Sequence, residues 1–270
     1  MNRSLFVFTA AFAALTAAQT ASAHIGYSGR DFGTLVIGAP TTTISNQFVS
    51  SSFGWADGTD ADYGDSHRGR FFRFTLTETT TVSITASRND GVQTGAAGIF
   101  LPGISLYSGL GHLAPNKAAH DSAQLSIDSR PAGTEGSFRA LTDWSIGNDP
   151  TYNIANDPAS GVLNAADLRS FTFVGYAVDG TAANFGGTEG IVGDGIANGF
   201  VTGTFANLAA GSYSIFVGGA NYSAQDSEVA TFPTYGISVS VQAVPEPSTY
   251  AAAMGGIVAL AALVRRRRRS

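Results

Sequence analysis

The chain of 270 residues contains no cysteine, which excludes disulfide bonds and catalysis by a thiol. It has one lysine and five glutamates, and charged residues make up only 13% of it. Long solvent-exposed helices depend on lysine and glutamate, so we expect few helices. The chain also lacks the G-x-S-x-G, H-E-x-x-H and Walker motifs of common enzymes. These absences favour a protein that is not an enzyme.

The N-terminal segment has the three parts of a secretory signal peptide. A short region with Arg3 precedes the apolar stretch 5–18, and Ala21 and Ala23 form the A-x-A pattern that signal peptidase accepts. The apolar stretch is too short to span a membrane as a helix, which disfavours an uncleaved anchor. We therefore predict a signal helix in residues 1–23, cleavage after Ala23, and export of the protein.

The C-terminal segment is predicted to form a transmembrane helix. Residues 248–264 carry no charge, and as a helix they would span about 25 Å, against about 30 Å for a hydrocarbon core. Long arginine side chains can make up part of the difference. By the positive-inside tendency the arginines stay cytoplasmic and the rest of the chain lies outside. They are Arg265, Arg266, Arg267, Arg268 and Arg269.

The three residues Pro245, Glu246 and Pro247 precede this apolar segment. Together, the P-E-P motif, the apolar helix and the terminal arginines make residues 244–270 resemble a PEP-CTERM sorting signal. The resemblance implies recognition by an exosortase, a membrane enzyme that would cut near the motif and release the protein or transfer it to the cell surface. It also implies a bacterium that makes exopolysaccharide and a biofilm or floc matrix.

Between the two ends lies an acidic body, predicted as one domain over residues 24–243. Residues 24–247 hold nine of the basic residues and all twenty acidic ones, a net charge of −11. Nucleic-acid binding requires a basic surface, so this balance argues against nucleic acid as a partner.

Apolar and polar residues alternate along eight short runs of the body, which predicts strands with one face in the core and one in water. Loops rich in Gly, Asn and Asp separate them, and two of these loops are long, 54–69 and 110–169. We therefore predict an all-β fold, an antiparallel β-sandwich of the jelly-roll kind, in which the first two runs pair as neighbours. The runs are 72–77, 81–86, 103–107, 124–128, 171–178, 201–205, 212–217 and 235–241.

Two segments of the body resemble bacterial pre-peptidase C-terminal-type sandwich domains. The first is 70–76 with the strand runs that follow it, and the second is 207–218, which matches the late hairpin of such domains. The resemblance implies a non-catalytic surface domain, often associated with carbohydrate.

The densest group of charges is Asp57, Asp60, Asp62 and Asp65, four carboxylates within nine residues. Calcium takes six to eight oxygen ligands, and a loop containing glycine can turn several of them to one point. The spacing is not that of an EF-hand. The group is therefore a hypothetical calcium site, with a solvated acidic loop as the alternative; Asp149 and Asp157 form a weaker candidate.

Two other candidate sites concern aromatic and histidine side chains. Trp55 and Trp144 could stack on sugar rings, although a buried tryptophan that fills the core is the more common case. After signal cleavage His24 would be the N-terminal residue, as in a copper histidine brace, which needs a second histidine. His67, His112 and His120 are available, and the sequence does not place them.

The sequence thus predicts a non-enzymatic secreted or envelope-anchored matrix protein, cut by signal peptidase and exosortase and held by its C-terminal helix before processing. Exopolysaccharide is the expected partner. The alternative is a secreted carbohydrate-binding or carbohydrate-cleaving protein, since paired carboxylates far apart in sequence can meet in space.

Overall fold

The computed structural model describes residues 26–56, 63–66, 68–92, 99–110, 138–147, 168–186, 190–228, 231 and 233–245. In this part of the chain, the helical elements are a 3-10 turn at Tyr222–Ala224 and the four-residue helix α1, Gln225–Glu228. The strands are β1 (Asp31–Leu35), β2 (Thr42–Ser50), β3 (Tyr63–Gly64), β4 (Arg70–Leu76), β5 (Thr80–Arg88), β6 (Pro102–Ser108), β7 (Phe138–Arg139), β8 (Trp144–Gly147), β9 (Leu168–Val178), β10 (Phe200–Leu208), β11 (Gly211–Gly219) and β12 (Thr234–Val244).

Eight of these strands form two antiparallel sheets, which confirms the predicted sandwich. One sheet has the order β2-β12-β5-β10 and the other contains β4-β11-β6-β9. Counted along the chain, these orders are first-eighth-third-sixth and second-seventh-fourth-fifth, the winding of a jelly roll. The second sheet is extended to six strands by β1, parallel to β4, and by β8, antiparallel to β9. Strands β3 and β7 form a separate small ribbon.

The predicted pairing of runs 72–77 and 81–86 as neighbours is wrong. β4 ends at Leu76 and β5 begins at Thr80, yet they belong to different sheets: β4 pairs with β1 and β11, and β5 pairs with β10 and β12. The predicted late hairpin is likewise a crossing between sheets, because β10 and β11 lie in different sheets. Alternation shows that each strand has an apolar face, but two strands can cover the same core from opposite sides as well as side by side.

The core between the sheets is built from the inward-facing residues of both. Phe72, Phe74 and Leu76 of β4 face Val82, Ile84 and the other inward residues of the four-stranded sheet in one buried cluster. Phe74 stacks on Tyr213 of the neighbouring strand with ring centroids 5.1 Å apart. This cluster holds the two sheets together.

The central strands β4, β6 and β11 of the six-stranded sheet are buried on both faces, which departs from the prediction of one wet face. Irregular segments lie over its outer face and form a second buried cluster with outward-facing strand residues such as Phe71, Tyr107 and Phe216. Burial is therefore nearly continuous along β6 and β11. In contrast, β10 of the four-stranded sheet alternates between exposed and buried residues, as predicted.

Several predicted elements lie outside the described residues. They are the signal helix 1–23, the strand 124–128 and the transmembrane helix 248–264. Among the residues that are described, no helix has the length and hydropathy needed to cross a membrane. The domain boundaries at residues 23 and 243 remain predictions.

Candidate functional site

In the described part of the predicted calcium loop, the one candidate ligand, Asp65, forms an ion pair with Arg68. Asp57, Asp60 and Asp62 lie outside the described residues, whereas Asp65 follows β3 and is nearly buried. Its carboxylate accepts a hydrogen bond from Nε of Arg68 at 3.0 Å. Asp65 thus neutralises a neighbouring arginine of its own turn.

A small cleft lies at the base of this loop. Its walls include Gly54, Ala56, Asp65 and Tyr222, and the Tyr222 hydroxyl accepts a hydrogen bond from the amide of Ala56. No cluster of three or more His, Asp or Glu side chains that could hold a metal occurs within the described ranges. The calcium hypothesis gains no support from them, and the four histidines, Asp149 and Asp157 lie outside them.

Trp55 is fully buried, so the prediction that it offers a ring to a sugar is wrong for this structure. It lies over the outer face of the six-stranded sheet, where its Nε1–H donates to the Ser105 hydroxyl at 2.9 Å. Ser105 in turn donates to the carbonyl of Ala140 at 2.7 Å. The ring sits against Gly103, where an added Cβ would come within 2.3 Å of it. Glycine is required there because the indole fills the space that a side chain would take.

The second predicted tryptophan, Trp144, belongs to β8, where it is in register with Phe171 of β9. Its side chain is not among those that the structure describes, so its sugar-binding role stays a prediction. The preceding Asp143 accepts a hydrogen bond from the amide of Phe173 at 2.6 Å and thereby ties the start of β8 to β9.

Two buried carboxylates that the sequence did not single out hold the backbone in place. Glu228 accepts hydrogen bonds from the amide of Ser52 at 2.7 Å and from the hydroxyl of Tyr235 at 2.6 Å. Burial, together with the Glu228 carboxylate, raises the pKa of Tyr235, which therefore stays a neutral donor. Both groups link the segment after β2 to the start of β12.

Asp179 is the other buried carboxylate, at the end of β9, and it is fully shielded from solvent. It accepts hydrogen bonds from the amides of Asn198, Gly199 and Phe200 at 3.1, 2.5 and 3.1 Å. Burial raises the pKa of Asp179 in spite of these three donors, and the nearby charge of Asp194 adds to the rise. Asp179 thus joins the two ends of the loop between β9 and β10.

Two arginines lie where the edge of one sheet meets the edge of the other. Arg70 opens β4 and is 7% exposed, and its guanidinium carbon lies 4.8 Å from the ring centroid of Phe48 on β2. Arg30, just before β1, donates to the carbonyl of Phe71 at 2.9 Å and to Oε1 of Gln47 at 3.3 Å. Burial lowers the pKa of Arg70 to about 10, and the charge of Arg30 contributes to the fall. No local sequence pattern indicates this pair, because Arg30 and Arg70 are forty residues apart.

The last core strand ends where the predicted sorting signal begins. β12 runs to Val244, Ala243 is still in the core, and Pro245 follows outside the strand. Proline has no amide hydrogen for a sheet ladder, which suits it to this boundary. The remaining predicted processing residues, Ala21, Ala23, Glu246, Pro247 and Arg265 to Arg269, lie outside the described residues.

Two solved structures of bacterial proteins are similar to this chain. One is CorA of Methylomicrobium album BG8, a surface-associated copper-binding protein, at 14% identity and a TM-score of 0.44, with 78% of this chain and 97% of CorA covered. The other is MopE, a secreted copper-binding protein of Methylococcus capsulatus, at 15% identity and a TM-score of 0.39, with 79% of this chain and 87% of MopE covered. No curated protein matches the chain in sequence.

A protein-family model matches the C-terminal end. It is the model of the PEP-CTERM protein-sorting motif, and the match covers residues 243–269, which include the P-E-P triplet and all five terminal arginines. The match begins at the last core residue of β12 and so takes in the part of the chain that follows the sandwich. The resemblance seen in the sequence is confirmed: the chain carries a PEP-CTERM sorting motif, the mark of an exported substrate of exosortase.

Proposed function

We propose that the sandwich is the non-enzymatic cargo of this sorting motif, a structural or adhesive protein of the extracellular matrix in a bacterium that makes exopolysaccharide. The observation that carries the proposal is the sorting motif at residues 243–269, placed directly behind the last strand of a complete jelly roll. Cleavage near Pro245 would remove the motif and leave β12 paired with β2 and β5 on both sides.

The use of the buried carboxylates supports a cargo without catalytic activity. Glycosidases need two carboxyl groups that face a common space. In the described residues, the carboxylates of Glu228 and Asp179 instead accept hydrogen bonds from donors of the protein itself, and Asp65 is paired with Arg68. A group held in this way stabilises a loop and is not available to a substrate.

The alternative is a secreted protein that cleaves carbohydrate, and one measurement separates the two. The exported body should release no reducing ends from the exopolysaccharide of its own host during long incubation. A steady release that is lost on heat denaturation of the body would replace the matrix proposal with the enzymatic one.

Processing of the C-terminus gives the first prediction. In a host with exosortase, the exported protein should start at His24 and end between Pro245 and Ser248, because both ends carry cleavage signals. The measurement is the intact mass of the protein recovered from the matrix. In a strain that lacks exosortase, the uncut chain should stay in the membrane fraction.

Replacement of Pro245, Glu246 and Pro247 by alanine should reproduce the exosortase-deficient result in the normal strain. The control is the triple variant Thr249→Ala, Tyr250→Ala and Ala251→Ser. These residues lie just beyond the triplet, and their replacement should leave processing unchanged. A matrix protein that retains Arg265 to Arg269 would contradict tail cleavage.

A further inference from the structure

Five arginines of the described residues fall into two groups. Arg68, Arg73 and Arg88 each form an ion pair, with Asp65, Asp31 and Asp90 respectively. Arg30 and Arg70 form none, and their hydrogen bonds go to carbonyl oxygens and to the neutral amide of Gln47. This is unexpected in a body with more than twice as many acidic as basic residues.

Arg70 is placed where a charge is costly. Successive side chains of a strand alternate between its two faces. Arg70, two residues before Phe72, is therefore on the same inward face of β4 as Phe72, Phe74 and Leu76. The charge of Arg30 is close enough to lower its pKa. A buried arginine that lies beside a second, partly buried one without a counter-ion opposes folding, and an anion placed between them would lower that cost.

The guanidinium of Arg70 nevertheless has N–H donors that form no hydrogen bond with the described residues of the protein. Only Nη1 bonds to the protein, at 2.8 Å from the carbonyl of Gly69. In the part of the chain that is described, the Ser52 hydroxyl is the one fully buried side-chain polar atom without a partner. The Nε and Nη2 atoms of Arg70 are therefore within reach of solvent, although the residue is 93% buried in total.

The guanidinium of Arg70 lies over the ring of Phe48, a cation–π contact that helps to hold it in place. An arginine that is stacked in this way is already ordered and can donate two parallel hydrogen bonds to a carboxylate at little further entropic cost. Arg30 is held by four contacts to Gly26, Phe71 and Gln47, so the second positive charge is fixed as well. Arg30 directly precedes β1, the edge strand of the six-stranded sheet, and Phe48 belongs to β2, the edge strand of the four-stranded sheet, so the pair lies at one side of the sandwich.

We propose that Arg30 and Arg70 form a binding site for the carboxylate of an acidic polysaccharide, at the side of the sandwich where β2 meets β1 and β4. The inference rests on the proposed function, since it names the class of matrix component that the body would hold. The carboxylate lies against Nε and Nη2 of Arg70, and Arg30 supplies the second charge. Neutral polysaccharides have no group that balances this pair.

The test uses the purified mature body, residues 24–247, with an oligomer of galacturonic acid as the acidic probe and its methyl ester as the neutral one. Calorimetry should show binding of the acid and at least tenfold weaker binding of the ester, which has the same ring without the charge. Arg70→Gln should weaken binding of the acid about tenfold or more, and Arg70→Lys should fall between, because it keeps the charge and loses the paired donors.

The matched control is Arg88→Gln, which removes the same charge from an arginine outside the site and should leave binding within about twofold. Thermal melting shows whether each variant is folded, and the comparison of acid with ester needs no variant. Equal binding of acid and ester, an unchanged Arg70→Gln protein, or an equal loss in Arg88→Gln would overturn the proposal. Tighter binding of poly-glutamate than of the uronic acid oligomer would overturn it in favour of an acidic peptide.

The result is separable from the proposed function. If the body fails to bind the uronic acid oligomer but is still cut by exosortase and retained in the matrix, this inference alone is wrong. If it binds the oligomer but is found free in the medium with no matrix association, the matrix function is wrong and the site stands.

Discussion

Replacement of Trp55 by alanine should lower the free energy of unfolding by about 3–5 kcal/mol, the usual cost of deleting a fully buried large aromatic ring. The indole is completely buried and fills the space over Gly103, and its ring centroid lies 5.7 Å from that of Tyr176. Its loss would also leave the outer face of the six-stranded sheet partly uncovered. The measurement is denaturant unfolding of the mature body, followed by circular dichroism.

Two milder variants separate packing from hydrogen bonding at this position. Trp55→Phe keeps most of the ring but removes the donor to Ser105, and Ser105→Ala removes the acceptor together with the hydrogen bond to the carbonyl of Ala140. Each should cost about 1–2 kcal/mol, because a net hydrogen bond contributes about 1 kcal/mol and the rest comes from imperfect packing. A Trp55→Ala protein as stable as the parent would contradict the burial of Trp55 and restore its candidacy as a sugar platform.

The alternating pattern predicted the strands that have an apolar inner face and a mainly polar outer face. β4, β5, β10 and β12 carry apolar residues at every second position, and each lies where the sequence places it. β2 was missed because Thr42–Ser50 is an edge strand with mostly polar residues, and only Val49 is fully buried in it. A polar edge strand is held by its partner, here β12, and its own sequence contains little of that information.

The outer cluster illustrates a second limit of sequence patterns. Ser105 and Gly103 occupy outward positions of β6, and small or polar residues there predict a wet face. They are buried because Trp55, fifty residues away, covers them. The same reason hides the Arg30–Arg70 pair: each arginine is ordinary in its own segment, and only the meeting of β2 with β1 and β4 brings them together.

Sorting was read correctly from sequence because its signals are local. The P-E-P triplet, the apolar segment and the arginines are contiguous, and the family match covers the same residues. A signal that an enzyme reads in an extended tail must be encoded in consecutive residues, whereas a ligand site on a folded body need not be.

Replacement of Asp179 by alanine should cost about 3 kcal/mol or more, because three backbone amides lose their acceptor in a buried site. Asp179→Asn should cost about 1–2 kcal/mol, because an amide can still accept through one oxygen but turns its NH2 group toward the other donors. Asp90→Asn is the control: this carboxylate is exposed in its ion pair with Arg88, and its loss should change stability by less than about 0.5 kcal/mol.

The pH dependence of Asp179 supplies a test that a purely steric role would fail. Burial raises the pKa of this carboxyl in the folded state above its ordinary value of 3.8, so folding favours the protonated form. The contribution of Asp179 to stability is therefore complete below about pH 3.9, the pKa of an unfolded aspartate, and declines as the pH rises toward the raised folded pKa. The free-energy difference between the parent and Asp179→Asn should accordingly shrink as the pH rises from about 4 and become constant above that pKa. Unfolding curves of both proteins over this pH range measure the difference directly. A difference that instead grows with pH would show that the three amide donors outweigh burial and hold the folded pKa below 3.8.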